Sequence, residues 1–127
     1  MASEGYYQID FLLPTNQDWN DSFQIGANTG EDAAFEPTDL TGHTFQMHIR
    51  RQVDDLSAVM ILNTANARIA ISGDASDGTI AIYVPDEEVQ RIAPGTYFHD
   101  IVMFDLDGDP RRIAKGTVTV ERGVTRT

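Results

Sequence analysis

Residues 43–51 read HTFQMHIRR. In an extended chain successive side chains point to opposite faces. Phe45, Met47 and Ile49 therefore share one side, and Thr44, Gln46, His48 and Arg50 share the other. This period of two predicts a strand with one face buried. Upstream, YYQIDFLL (6–13) is apolar and aromatic and stops at Pro14, and DSFQIG (21–26) is a second short strand candidate. Residues 27–42, ANTGEDAAFEPTDLTG, are rich in Gly, Pro, Asp and Thr and predict an acidic loop with room for one turn of helix.

Downstream, VDDLSAVMILN (53–63) predicts a turn that runs into a strand. ARIAIS (67–72) and GTIAIYV (78–84) are strand-like and joined by the turn GDASDG, with Ile80, Ile82 and Val84 on one face. PDEEVQRI (85–92) is the one helical signal: Pro85 precedes acids in a first turn, Val89 and Ile92 stand three apart, and Pro94–Gly95 follows. TYFHDIVMFDL (96–106) and RRIAKGTVTVERG (111–123) complete the series. The expectation is all-β: an antiparallel sandwich of about 7–8 strands with a short helix near 86–92, forming a single domain over 1–127. The lack of long helical patterns argues against a βαβ fold.

Composition narrows the function classes. The chain has no cysteine, which removes disulfides, thiolate nucleophiles and sulfur-ligated zinc and fits synthesis in a reducing cytosol. No apolar run approaches the length of a membrane-spanning helix, and MASEGYYQID lacks the basic start and apolar core of a secretory signal. Twenty acids against nine Lys and Arg give a net charge of −11, so binding to a nucleic-acid backbone is disfavoured. The charge is also graded along the chain. No Lys or Arg precedes Arg50, whereas Arg111, Arg112 and Lys115 stand close together near the end.

FDLDGDPRR (104–112) carries three alternating aspartates. An EF-hand loop numbered from Asp105 would need glycine sixth and glutamate twelfth. Here Gly108 is fourth, Gly116 is twelfth, and the flanks are strand-like. Asp107–Gly108 between two strands instead predicts a tight hairpin in which both central residues take positive φ. His43, His48 and His99 form no metal-ligand spacing, and in a strand His99 and Asp100 point apart. Gly26 to Gly30 lacks the lysine of a phosphate loop, and the serines lie in no nucleophile motif. Acids at 86–88 suit a helix start. No catalytic, cofactor-binding or metal-binding residue is assigned. Trp19 with Tyr6 and Tyr7 is the one candidate platform for stacking on a sugar, which keeps a carbohydrate-binding module as an alternative.

Three stretches together, DLTGHTFQMHIRR (39–51), the run from Ala67 to Ile113 with its Pro-Gly-x-Tyr at 94–97, and GTVTVERGVTR (116–126), resemble a broad family of small virion proteins of tailed bacteriophages. Those proteins have an immunoglobulin-like sandwich, occur among tail and tail-fibre genes, and are similar to the N-terminal domains of baseplate upper proteins. The resemblance covers about residues 39–126, and the acidic loop at 27–39 departs from the family's plain linker. It implies an immunoglobulin-like β-sandwich and a non-enzymatic structural role in the tail, baseplate or fibre attachment. It also implies other virion proteins as partners, self-association in the assembled particle, and location in the virion after synthesis in the host cytoplasm. A capsid decoration (cement) protein is the rival within the same particle. Tyr97 is expected to hydrogen-bond across such a sandwich. The charge gradient then nominates Glu31, Asp32, Glu36, Asp39, Arg111, Arg112 and Lys115 as protein–protein contacts, the acidic loop facing a neighbour's basic hairpin or a basic patch on a different virion protein.

Overall fold

The stretch 43–51 forms a strand with Phe45, Met47 and Ile49 all at or below 2% exposure. The computed structural model describes residues 7–28 and 35–125. Strands are numbered β1 (Tyr7–Gln8), β2 (Phe11–Pro14), β3 (Trp19–Gln24), β4 (Gly26–Asn28), β5 (Phe35–Pro37), β6 (Thr44–Arg50), β7 (Met60–Asn63), β8 (Ile69–Ile71), β9 (Thr79–Val84), β10 (Gly95–Phe104) and β11 (Pro110–Glu121). One four-residue helix, α1 (Asp86–Val89), and a 3-10 turn at Ala75–Asp77 complete the described elements.

The larger sheet runs β7-β6-β10-β11, with β1 and then β2 lying along the far edge of β11. The smaller sheet runs β3-β9-β8. Inward residues of the two sheets meet in one core. Met47, Leu62, Tyr97, Ile101 and Val118 come from the larger sheet, and Ile69, Ile80, Ile82 and Val84 from the smaller. This is an immunoglobulin-like sandwich, with β3-β9-β8 packed against β11-β10-β6-β7. Each buried aliphatic side chain contributes about 1.5–3 kcal/mol through loss of water contact.

Tyr97 marks the fold in a second way. Its hydroxyl donates to Ala93 O at 2.5 Å, four residues upstream, and its ring is fully buried. A tyrosine near the start of this strand that bonds back to the preceding corner is a hallmark of the sandwich. The bond expected across the sandwich is instead local and fixes the corner at which the chain crosses from α1 into β10.

The N-terminal segment differs from one strand at 6–13. It forms two short strands, both parallel to β11 in one continuous register, with Tyr7 opposite Ala114 and Phe11 opposite Val118. The break at Ile9–Asp10 has a physical cause. A Cβ on Gly116 would sit 1.9 Å from Ile9 O, so only glycine lets the two backbones approach this closely. Asp10 Oδ1 then accepts from Thr117 N at 2.9 Å and from its hydroxyl, taking over a donor that the ladder leaves over.

The loop at 27–42 also differs: β4 and β5 pair as a two-stranded ribbon, and no helical turn occurs among its described residues. The helix expected over 85–92 is shorter, Asp86–Val89, continued by turn-type bonds from Arg91 N to Glu88 O and from Ile92 N to Val89 O. Asp18 Oδ1 accepts from Asp86 N at 2.8 Å, and Asp86 Oδ1 accepts from Asn16 N at 2.9 Å. Arg68 and Glu88 form a two-pronged ion pair that ties α1 to the approach of β8. The acids of this segment thus knit one end of the sandwich together. Among the described residues no helix is long and apolar enough to cross a membrane.

Candidate functional site

The outward face of the larger sheet follows from its register. β6 places Gln46, His48 and Arg50 outward, opposite Val102, Asp100 and Phe98 of β10. β11 then sets Arg112 opposite Val102 and Lys115 opposite Asp100. The register shift at Ile101/Val102 is a β-bulge, and it puts Ile113 and Ala114 both into the core. Without that extra residue the alternation would not turn both Arg112 and Lys115 outward.

These residues form the rim and floor of a depression of about 380 Å³ on the sheet, lined by His48, Arg50, Val53, Phe98, Asp100, Arg112 and Lys115, with His99 at its base. Arg112 Nε lies 3.6 Å from Asp100 Oδ2, with both side chains about half exposed. Arg50 spans the lower end. One nitrogen donates to Asp55 O at 3.2 Å and the other lies 3.0 Å from His48 Nδ1, which accepts, because a guanidinium only donates. Phe98 and Val53 leave apolar surface open beside these cations, at 37% and 72% exposure. Leu56 projects from the same β6–β7 connection and is almost fully exposed. Three cations and one carboxylate line this surface in a chain of net charge −11.

The expected contact residues distribute unevenly. Arg112 and Lys115 belong to this face. Arg111 pairs with Met103, an inward position, so the alternation turns it away from Arg112 at the end of the hairpin. Glu36 and Asp39 are exposed near the opposite, loop-bearing end. Asp39 Oδ1 accepts from Thr41 N and Thr41 Oγ1, and these bonds hold its carboxyl below the usual carboxylate range. Glu31 and Asp32 lie outside the described residues.

At the same end the aspartate cluster resolves into a turn. Gly108 N donates to Asp105 O at 2.9 Å, Asp105 N donates to Asp109 O at 3.1 Å, and Gly108 has φ 83°. This is a three-residue hairpin loop with a single left-handed residue, not the two-residue turn expected at Asp107–Gly108. Asp107 is not among the non-glycine residues with positive φ, which are Asn16 and Ala67. Carboxylate oxygens of Asp105, Asp107 and Asp109 come within 4.8 Å of one another. Asp105 Oδ1, however, already accepts the backbone amides of Asp107 and Asp109, at 2.9 and 3.0 Å. The residues that converge here are explained by the turn itself.

Trp19 is 4% exposed, packs edge-on against Phe11 and donates its indole N–H to Asp21 Oδ2. Tyr7 is half-buried with its hydroxyl on Gly26 O, and Tyr6 lies outside the described residues. Trp19 therefore offers no face for a sugar to stack on. His99 is buried: Nε2 lies 2.7 Å from Ile9 O, Nδ1 has no partner, and burial pushes the imidazole below its ordinary value. It is a packing residue that joins β10 to the N-terminal segment. The candidate face is half visible in the sequence, where the polar side of HTFQMHIRR already contains His48 and Arg50. Phe98 and Asp100 join it only through strand register, and Val53 through the fold of the β6–β7 connection. No protein-family model matches the chain, and no curated protein is similar enough to count as a relative.

Proposed function

We propose that the protein is a non-enzymatic packing module of a tailed phage particle, a component of the tail, baseplate or fibre attachment. It acts by presenting the outer face of its larger sheet to other virion proteins. The particle enters through the resemblance carried by residues 39–126. The mode of action is supported by one observation: a mixed cationic and apolar face, Arg50, Arg112 and Lys115 around Phe98 and Val53, on a chain that is otherwise strongly acidic. A rigid sandwich suits repetition in a symmetric ring, where contacts that are individually weak add up.

The test is the presence and copy number of the chain in purified particles of the phage that encodes it. Tail placement predicts a copy number that follows the ring symmetry of the tail and is lost from tailless mutants. A copy number that tracks the major capsid protein would instead identify a decoration protein, and absence from particles would reject both.

A further inference from the structure

The three connections at the loop-bearing end touch one another. Leu40 N donates to Ala75 O at 3.0 Å, Thr38 N donates to Ile25 O, and Gly42 lies directly beneath the Leu106 side chain. The result is one continuous tip built from the β5–β6, β8–β9 and β10–β11 connections. Its charged side chains are overwhelmingly carboxylates, among them Asp39, Asp74, Asp77, Asp107 and Asp109, all exposed. The cationic face lies on the flank. Asp109, just before β11, stands three residues from Arg112 and six from Lys115, about 10 and about 20 Å at roughly 3.4 Å per residue. The screening length is about 8 Å at physiological salt, so a molecule's own tip acts on its own Arg112, which also lies 3.6 Å from Asp100, but only weakly on its own Lys115.

We propose that the depression on the outer face of the larger sheet is the docking site for the acidic loop tip of a second copy of this chain. The inference deepens the packing role proposed above by naming the partner. Charge complementarity selects the occupant. The flank offers Arg50, Arg112 and Lys115, and the tip offers exposed carboxylates. Phe98 and Val53 supply apolar floor, and Leu106, 74% exposed at the tip, supplies an apolar counterpart. The contact is head-to-flank, so it uses two different patches, and repetition closes a ring or extends a filament rather than stopping at a two-fold dimer. The overall charge of −11 opposes approach at long range. Association therefore depends on local complementarity and weakens as salt screens it.

A charge-swap mixing experiment tests this by sedimentation velocity. The flank variant is Arg112→Glu with Lys115→Glu, and the tip variant is Asp107→Lys with Asp109→Lys. Circular dichroism and thermal midpoints confirm that each folds. The wild type should form concentration-dependent oligomers at low salt that dissociate as salt rises. Each variant alone should be monomeric, since it sets like charge against like. An equimolar mixture should associate again, because each variant then supplies what the other lacks. Failure of the mixture to associate overturns the proposal, as does undiminished association of either variant alone. A wild type that stays monomeric at low salt up to millimolar concentration overturns it too. Binding of an unrelated polyanion such as heparin to the flank with no coupling between the variants would assign the face to a different acidic partner. Particle composition separates this inference from the reading it rests on: incorporation without charge coupling sinks only the inference, and charge coupling without incorporation sinks only the particle assignment.

Discussion

At the scale of single residues, His99 ties pH to stability. Its ring is 5% exposed and one nitrogen has no partner, so a proton added in the folded state would bring an unsatisfied charge into the core. Burial dominates and the folded value lies below the ordinary one, although the hydrogen bond to Ile9 and the charges of Asp100 and Asp10 pull the other way. Below about pH 6.5 the unfolded chain therefore binds more protons than the folded one, and stability falls with pH. The thermal midpoint should drop between about pH 7 and pH 5, and His99→Gln should flatten that drop relative to wild type. Equal slopes would mean that other groups set it. Asp39 and Asp74 are held low by bonds from Thr41 and Ser76, so their effect belongs to a more acidic window, near and below the ordinary carboxylate value. The aspartates at 105–109 give a second residue-scale expectation. Because Asp105 is committed to backbone amides, calorimetry with calcium should show no stoichiometric heat at the micromolar affinities of sensor sites. A stoichiometric heat abolished by Asp107→Ala would contradict that.

At the scale of elements, β6 and β9 were legible because their period-two faces coincide with burial. Ile49 and Ile82 are at most 1% exposed, and truncating either to Ala should cost about 2–5 kcal/mol in denaturant unfolding. A loss below about 0.5 kcal/mol would put these residues on a face that can relax or take up water. What the sequence hid was pairing. A strand's own pattern does not say which edge it joins, so the parallel seam between the N-terminal segment and β11 could not be read from YYQIDFLL. Nor could the bulge at Ile113–Ala114, where two consecutive apolar residues both point inward. The ribbon of β4 and β5 was masked by Gly26, Asn28 and Pro37, residue types disfavoured in long strands but tolerated in a pair of three-residue ones. Gly116 is the element-scale test of the seam. Gly116→Ala places a methyl group where Ile9 O now sits, so residues 7–14 should separate from β11. Hydrogen exchange should then show lost protection in β1 and β2 and in the facing edge of β11, with β6 and β9 still protected. Unchanged protection along the seam would show that the backbones can part without cost.

At the scale of the molecule, charge and shape divide the protein into three regions. One end is knit by Asp18, Asp86 and the Arg68–Glu88 pair, the opposite tip is acidic, and the flank between them is cationic and apolar. Exposed ion pairs contribute at most about 1 kcal/mol each, so neither patch matters much to the stability of one copy. In the proposed packing role their effect would come from repetition and from steering during assembly. The sequence showed the gradient of charge but not this geometry, which is why Arg111 was grouped with Arg112 although the strand turns them apart. Incorporation into particles tests the contact face. Particles assembled with the Arg112→Glu, Lys115→Glu protein, shown to be folded by its unchanged thermal midpoint, are purified across a series of salt concentrations and the chain is quantified. Wild-type incorporation should decline as salt rises, and the charge-reversed protein should be depleted even at low salt. Equal incorporation of the two proteins at every salt concentration would contradict this.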